Sequence, residues 1–165
     1  MKVYENLNQC FLYAVFLVFV WCWAGCGTQE SSLQEPSNTA NGVLVEEFSA
    51  LMNQHRTTVG CAPLADHAGL NQVAQQHSED MYSRKYFNHV NPEGRNPFDR
   101  IALANIGGWT SAGENIAQNP GGAQAVLTAW LNSPGHRANI ENCSYTHQGI
   151  GEADGYWTHM FLTEN

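Results

Sequence analysis

Basic residues are scarce in this sequence. Seven Lys and Arg stand against 15 Asp and Glu in 165 residues, a formal net charge of −8, and the cations nowhere form a run. A nucleic-acid binder needs positive charge to meet phosphates, and anionic membrane surfaces recruit polybasic segments, so the composition argues against both. No apolar run is long enough to cross a bilayer comfortably; the longest extends from Phe11 to Ala24. Internal repeats are missing, as are the Gly-x-Ser-x-Gly nucleophile turn and the His-Glu-x-x-His metal helix, two easily recognised hydrolase signatures. Cysteine is also sparse, with five residues in all.

What is present begins with an export signal. Residues 1–26 read as a secretory segment with Phe11–Ala24 as its apolar core; Lys2 gives a positive start that Glu5 offsets. The stretch Trp23-Ala24-Gly25-Cys26 resembles a bacterial lipoprotein cleavage site, with Cys26 as the lipidated first mature residue, although Trp23 stands where an aliphatic residue is usual. The expectation is an exported protein anchored through Cys26 to the periplasmic or surface face of an envelope membrane, or secreted outright if Cys26 carries no lipid. Residues 27–42, rich in Ser, Gln, Glu, Asn and Thr, lack apolar groups to bury and read as a flexible tether.

Residues 43–165 are then one folded domain, and a 43% hydrophobic composition supports its core. Cys10 and Cys22 fall in the signal, which leaves Cys61 and Cys143. An even pair in an exported domain suggests a disulfide, worth about 4 to 5 kcal/mol in the chain-entropy model; two buried free thiols are the alternative.

Apolar periodicity predicts a helix over 43–58, through Leu44, Phe48, Leu51, Met52 and His55. A second helix, capped by Asp66, runs to about Lys85 with Leu70, Val73, Ala74, His77 and Met81 on its apolar face, His77 being a core histidine with one ring nitrogen bonded. Asn96 followed by Pro97 predicts the start of a short third helix. Residues 112–117 read as extended and 123–132 as a helix with Val126, Leu127, Trp130 and Leu131 inward. Pro134-Gly135 reads as the break that stops this helix, with about one helical turn over 136–141. Two strands close the chain, 148–153 and 156–162, joined by a tight Asp154-Gly155 turn. Helices first and paired strands last indicate an α+β domain.

Three polar groups stand where the backbone turns: His89, Glu114 and His136. Two imidazoles and a carboxylate can hold zinc or another divalent metal, and can equally perform acid–base work. Trp130 and Trp157 read as core aromatics, His159 as structural, Arg137 and Asn139 as partners of local backbone, and Arg100 as an anchor for the loop before it.

Several motifs, in order, resemble the bacterial branch of the CAP superfamily, the SCP-like extracellular proteins. They are His77-Ser78-Glu79-Asp80-Met81, Tyr86-Phe87-Asn88-His89, the run from Asn91 to Arg100, Gly113-Glu114-Asn115-Ile116-Ala117, Gly149-Ile150-Gly151 and Tyr156-Trp157-Thr158. The most specific is Trp130-Leu131-Asn132-Ser133-Pro134-Gly135-His136-Arg137-Ala138-Asn139-Ile140. The resemblance covers about residues 44–162. It implies a three-layer α-β-α sandwich with a small, mostly antiparallel sheet and a large cleft. It places His89 and His136 as the cleft histidines and Glu114 as the first cleft glutamate. The second glutamate of eukaryotic members is Ser133 here, as bacterial relatives commonly lack it. The Cys61–Cys143 pair matches one found in some bacterial members. In the family, the two histidines of some members bind a divalent metal, others bind lipids in separate grooves, and no single activity is shared.

Two functional readings follow. One is a surface-tethered module whose metal-capable cleft binds a lipid, a peptide, an envelope polymer or a partner protein. The other is a hydrolase, either metal-assisted with Glu114 as general base, or with Ser133 as nucleophile beside His136 and Glu114 orienting the ring.

Overall fold

A computed structural model describes residues 36–118 and 121–164, with residues 36–40 as backbone only. The expected signal, Cys26 and the first part of the expected tether lie outside the described residues. The elements are α1 (Pro36–Thr58), β1 (Ala65–Asp66), α2 (Ala68–Arg84), α3 (Pro97–Leu103), β2 (Trp109–Gln118), α4 (Ala123–Leu131), α5 (Pro134–Ile140), β3 (His147–Ala153) and β4 (Tyr156–Glu164). Among the described residues no helix is long and apolar enough to cross a membrane.

The sheet has the order β1-β3-β4-β2; β1 runs parallel to β3, and the other pairs are antiparallel. Alternation along β4 sorts its side chains between two cores. Met160 and Leu162 meet Leu70, Val73 and Ala74 of α2 and Ile101 of α3 on one face. Trp157 and Phe161 meet Phe48 and Met52 of α1 and Val126, Leu127 and Trp130 of α4 on the other. The three-layer α-β-α arrangement and the α+β class are therefore as expected.

The α2 layer sits unusually low on β3, and two glycines permit it. A Cβ on Gly149 would lie 2.3 Å from the Leu70 carbonyl carbon, and one on Gly151 would lie 2.2 Å from the Gln75 nitrogen. That approach brings α2 amides against the backbone of β3. Asn71 Oδ1 accepts from Ile150 N at 2.8 Å, Gln75 Oε1 accepts from Glu152 N at 3.0 Å, and Gln75 Nε2 donates to Glu152 O at 2.9 Å. At the far side of the sheet, Trp130 Nε1 donates to Ile116 O at 3.0 Å.

Four local expectations are corrected. The first helix starts at Pro36, inside the stretch read as tether through residue 42, consistent with proline's fixed φ at a first helical position. The cap of α2 is His67, whose side chain accepts from Leu70 N, while Asp66 is drawn into β1 and accepts from Gln148 Nε2 at 2.9 Å. Pro134 opens α5 as well as following α4. Asn139 reaches across to β2 rather than bonding local backbone, donating to Asn115 Oδ1 at 2.8 Å. Other expectations hold. Asn96 and Asp99 form a reciprocal capping box with Pro97 in the first turn. The β3–β4 turn places Asp154 and Gly155 at φ 46° and 83°, as a two-residue hairpin requires.

His159, read as structural, is fully buried against Phe48, Trp130 and Phe161. Its Nε2 donates to Gln148 Oε1 at 3.1 Å, and its Nδ1 has no partner among the described residues. Burial pushes its pKa down to about 3.

Candidate functional site

The edge strand β2 carries the centre of the site. Its alternation sends Glu114 toward the α2–α3 layer and Gly113 and Asn115 toward α5. Gly113 leaves room there for the Tyr145 hydroxyl, which a Cβ would meet at 2.6 Å and displace. Asn115, fully buried, donates to the His136 carbonyl at 3.0 Å. Asn139 donates to Glu114 O at 3.3 Å as well as to Asn115. These bonds fix the start of α5 and the backbone of His136 against β2.

The far end of α5 is fixed differently. Cys61 and Cys143 form the expected disulfide, with Cα atoms 4.8 Å apart. Beside it the Arg56 guanidinium is fully buried and donates to the carbonyls of Ala62, Ile140, Asn142 and Tyr145, at 2.7 to 3.3 Å. Burial lowers its pKa, and four carbonyl dipoles are what keep the cation tolerable there.

His89 lies in the loop after α2, where Lys85 takes a left-handed conformation at φ 56° and ends the helix. Its backbone is held on both sides. His77 Nε2 donates to Asn88 O at 3.1 Å, and Arg100 Nη1 donates to His89 O at 2.8 Å. His77 is thus the buried core histidine expected, but both ring nitrogens are engaged rather than one, since Nδ1 lies 3.5 Å from the Tyr86 hydroxyl; burial is the main cause of its lowered pKa. Arg100 also bonds Arg95 O at 3.2 Å, so it does anchor its preceding loop.

Glu114 and His89 meet directly, with Glu114 Oε1 2.7 Å from His89 Nδ1. The carboxylate is 2% exposed, whereas the His89 side chain is 47% exposed. The second oxygen, Oε2, accepts from Arg100 Nη2. An ionised carboxylate can only accept, so the ring proton sits on Nδ1 and Nε2 keeps its lone pair when the imidazole is neutral. Arg100 supplies the opposite charge that a buried carboxylate needs beside it.

His136 is half-buried near Trp130, their ring centroids 6.3 Å apart. Its ring nitrogens make no hydrogen bond among the described residues. Burial and, secondly, the charge of His89 lower its pKa, so the two histidines are electrostatic neighbours. Ser133 occupies the N-cap position of α5 without a side-chain capping bond, and no hydrogen bond joins it to His136 among the described residues. Among the described residues, no three His, Cys, Asp or Glu side chains form a group that could hold a metal ion. Both Glu114 oxygens are engaged, by His89 and Arg100, so His89 Nε2 and the His136 ring are the nitrogens with free lone pairs. A carboxylate on the other ring nitrogen is the usual outer-shell support of a metal-bound histidine.

Sequence reasoning had placed Arg100 on its own loop alone. Its bond to Glu114 and the Asn115–Asn139 pair are long-range, and only the Gly113-Glu114-Asn115 run hinted at them.

Comparison with known proteins agrees with this architecture. The model of the cysteine-rich secretory protein family, CAP, matches residues 50–160. Two Bacillus subtilis proteins are similar: the uncharacterized protein YkwD, 39% identical over 114 residues, and the uncharacterized membrane protein YlbC, 38% identical over 112 residues. Each match covers 68% of this chain but only 44% and 32% of those relatives, so the chain spans less than half of either. An extracellular SCP-domain protein from Bacillus anthracis superposes with a TM-score of 0.75 at 32% identity, over 81% of this chain and 45% of that one. An outer surface protein from Borrelia burgdorferi shares the fold at 18% identity and a TM-score of 0.66, over 74% of this chain and 94% of that one. With its ordered motifs, its sandwich and its Cys61–Cys143 bridge, the chain belongs to the cysteine-rich secretory protein (CAP) family.

Proposed function

We propose that the protein is an exported, envelope-tethered CAP-domain module that binds a ligand at the His89–His136 site, with a divalent metal such as zinc held by the two imidazoles. The observation that carries this reading is the half-exposed His89, with its Nδ1 fixed by a buried carboxylate and its lone pair left on Nε2. Glu114 is then a positioning residue rather than a third ligand, and Arg100 holds Glu114. A bound metal would supply a Lewis-acidic centre able to coordinate an oxygen or nitrogen of a lipid, peptide or envelope polymer. The extracellular description of the Bacillus anthracis relative and the leader-like residues 1–26 support export, and Cys26 is the proposed lipidation site.

Binding is favoured over hydrolysis. Glu114 is committed to His89 and Arg100, so it does not orient His136 toward Ser133. As a general base it would have to give up both partners.

Dialysed protein analysed for metal by mass spectrometry tests the site. The parent should retain zinc stoichiometrically, and His89→Ala and His136→Ala should each lose it; equal zinc in parent and variants would end this reading. Cys26→Ser should release the domain from the membrane fraction, and unchanged fractionation would remove the lipid anchor.

A further inference from the structure

Histidine is not among the usual capping residues, and ordinary changes of pH can remove its capping power. His67 has the extended backbone of a cap, at φ −114° and ψ 111°, and its Nδ1 accepts from Leu70 N at 3.0 Å. An imidazole nitrogen accepts only while it is bare. The neutral ring therefore carries its proton on Nε2, and an added proton must go to Nδ1, where it meets the N–H that Nδ1 had been accepting. It also puts a cation at the positive end of a 17-residue helix whose first turn holds no acidic residue. Protonation and capping exclude each other at His67.

The charged ring has another partner within reach. Glu164, on β4, places Oε1 3.4 Å from His67 Nε2 and Oε2 3.5 Å from His147 Nδ1. Both distances are longer than a well-formed hydrogen bond. The His67 and His147 side chains are each 28% exposed, so protons reach them from solvent, and their ring centroids are 6.2 Å apart. His147 Nδ1 also faces Thr146 Oγ1 at 2.9 Å. Asp66 of β1 is tied to Gln148 Nε2 at 2.9 Å, and the loop after α3, which carries no charge, brings Ile106 beside the His67 ring.

The turn held by this cap is the part of α2 seated on β3. Gly149 makes room for the Leu70 carbonyl group, and Asn71 Oδ1 accepts from Ile150 N. We propose that His67 is an acid-operated latch on that seat. Neutral, it caps α2 through Leu70 N. Protonated, it releases that amide, turns to Glu164 and loosens the first turn of α2 at the corner of β1 and β3. His147 takes the other oxygen of Glu164, so both cations are served at once. The cap's contribution is complete where the imidazole is neutral and is lost as pH falls. The latch is separate from the His89–His136 pair and stands without any metal there.

The test is amide exchange followed by NMR on the full chain between about pH 7.5 and about pH 5, each rate divided by that of the unfolded chain at the same pH. In the parent, protection of Leu70 N should fall about tenfold on acidification. Imidazole 15N spectra should show His67 Nδ1 bare at the higher pH and protonated at the lower. His67→Asn caps through an amide oxygen at every pH in this range, so its Leu70 protection should change less than about twofold. Glu164→Gln keeps the cap and removes the partner of the charged ring, so the fall should come about half a unit lower in pH. Equal Leu70 protection at both ends of the range in the parent, the same fall in His67→Asn, a proton on Nδ1 at the higher pH, or an unmoved midpoint in Glu164→Gln would overturn the proposal.

Discussion

Replacing Glu114 with Gln should move a proton on His89. The ionised carboxylate accepts at both oxygens, from His89 Nδ1 at 2.7 Å and from Arg100. An amide has one accepting oxygen and one donating nitrogen. Arg100 can only donate, so it takes the oxygen. The amide N–H then faces His89 Nδ1, which must accept, and the ring proton shifts to Nε2. Hydrogen bonds are conserved in number, and the cost is the replacement of two charge-assisted bonds by weaker ones, about 1 to 3 kcal/mol in total. Glu114→Ala is different. It strands the Arg100 guanidinium, 10% exposed, without its counter-charge, and should cost about 3 to 5 kcal/mol. Imidazole 15N spectra at about pH 8 read the tautomer directly, and urea unfolding gives the two stabilities. A His89 that keeps its proton on Nδ1 in Glu114→Gln, or equal losses in the two variants, would refute the reasoning. If the pair holds zinc, the switched tautomer should bind it about 10- to 100-fold more weakly.

Three further outcomes are expected. Gly151→Ala should lose about 3 to 5 kcal/mol in urea, because its Cβ would sit 2.2 Å from helix backbone and force α2 off its bonds to Glu152. Gly42→Ala, within α1 and with nothing inside 4 Å, should gain about 0.5 to 1 kcal/mol, and similar effects at the two positions would contradict the close approach. Acid should destabilise the fold through His77, His136 and His159, whose pKa values burial lowers. Below about pH 6.5 the unfolded chain takes up protons that the folded one refuses, so their stability contribution is complete above that pH and is lost as pH falls. His159→Gln should reduce the slope of stability against pH between about 6 and 4 by about one proton, and an unchanged slope would remove His159 from the account. Reducing the Cys61–Cys143 bridge, which links residues 82 apart, should cost about 4 to 5 kcal/mol by comparison of urea curves with and without reductant; a loss under about 1 kcal/mol would show that Arg56 and its carbonyls hold the junction alone.

Local physics made much of the fold legible. Asn96-Pro97 named a helix start because capping is decided within four residues, and Asp154-Gly155 named a hairpin because positive φ is a property of single positions. Where a local rule met long-range competition it failed. Asp66 is a good capping residue, but β3 claims it for a two-residue parallel strand too short to show any alternation. His89, Glu114 and His136 were visible as polar residues at turns and through the family's motifs. The link from Arg100 to Glu114 was not, since nothing in the sequence joins positions that meet only when α3 packs beside β2. Gly149-Ile150-Gly151 is one of the family's motifs, and the alternate spacing of its glycines on a strand marks a place where another backbone comes close.

The amides that α2 lays against β3 have a consequence for how this protein can meet other chains. Beyond the two residues of β1, the outer side of β3 would be an open template for a foreign strand. Asn71 and Gln75 occupy its N–H and C=O groups at Ile150 and Glu152 as a substitute strand would. On the opposite border, Trp130 and Asn139 cap the carbonyls of Ile116 and Glu114. Capture by β-augmentation is thereby disfavoured at both borders, and so is edge-to-edge self-association. Recognition of a peptide, were there one, would rest on side chains rather than on backbone pairing that would accept almost any sequence.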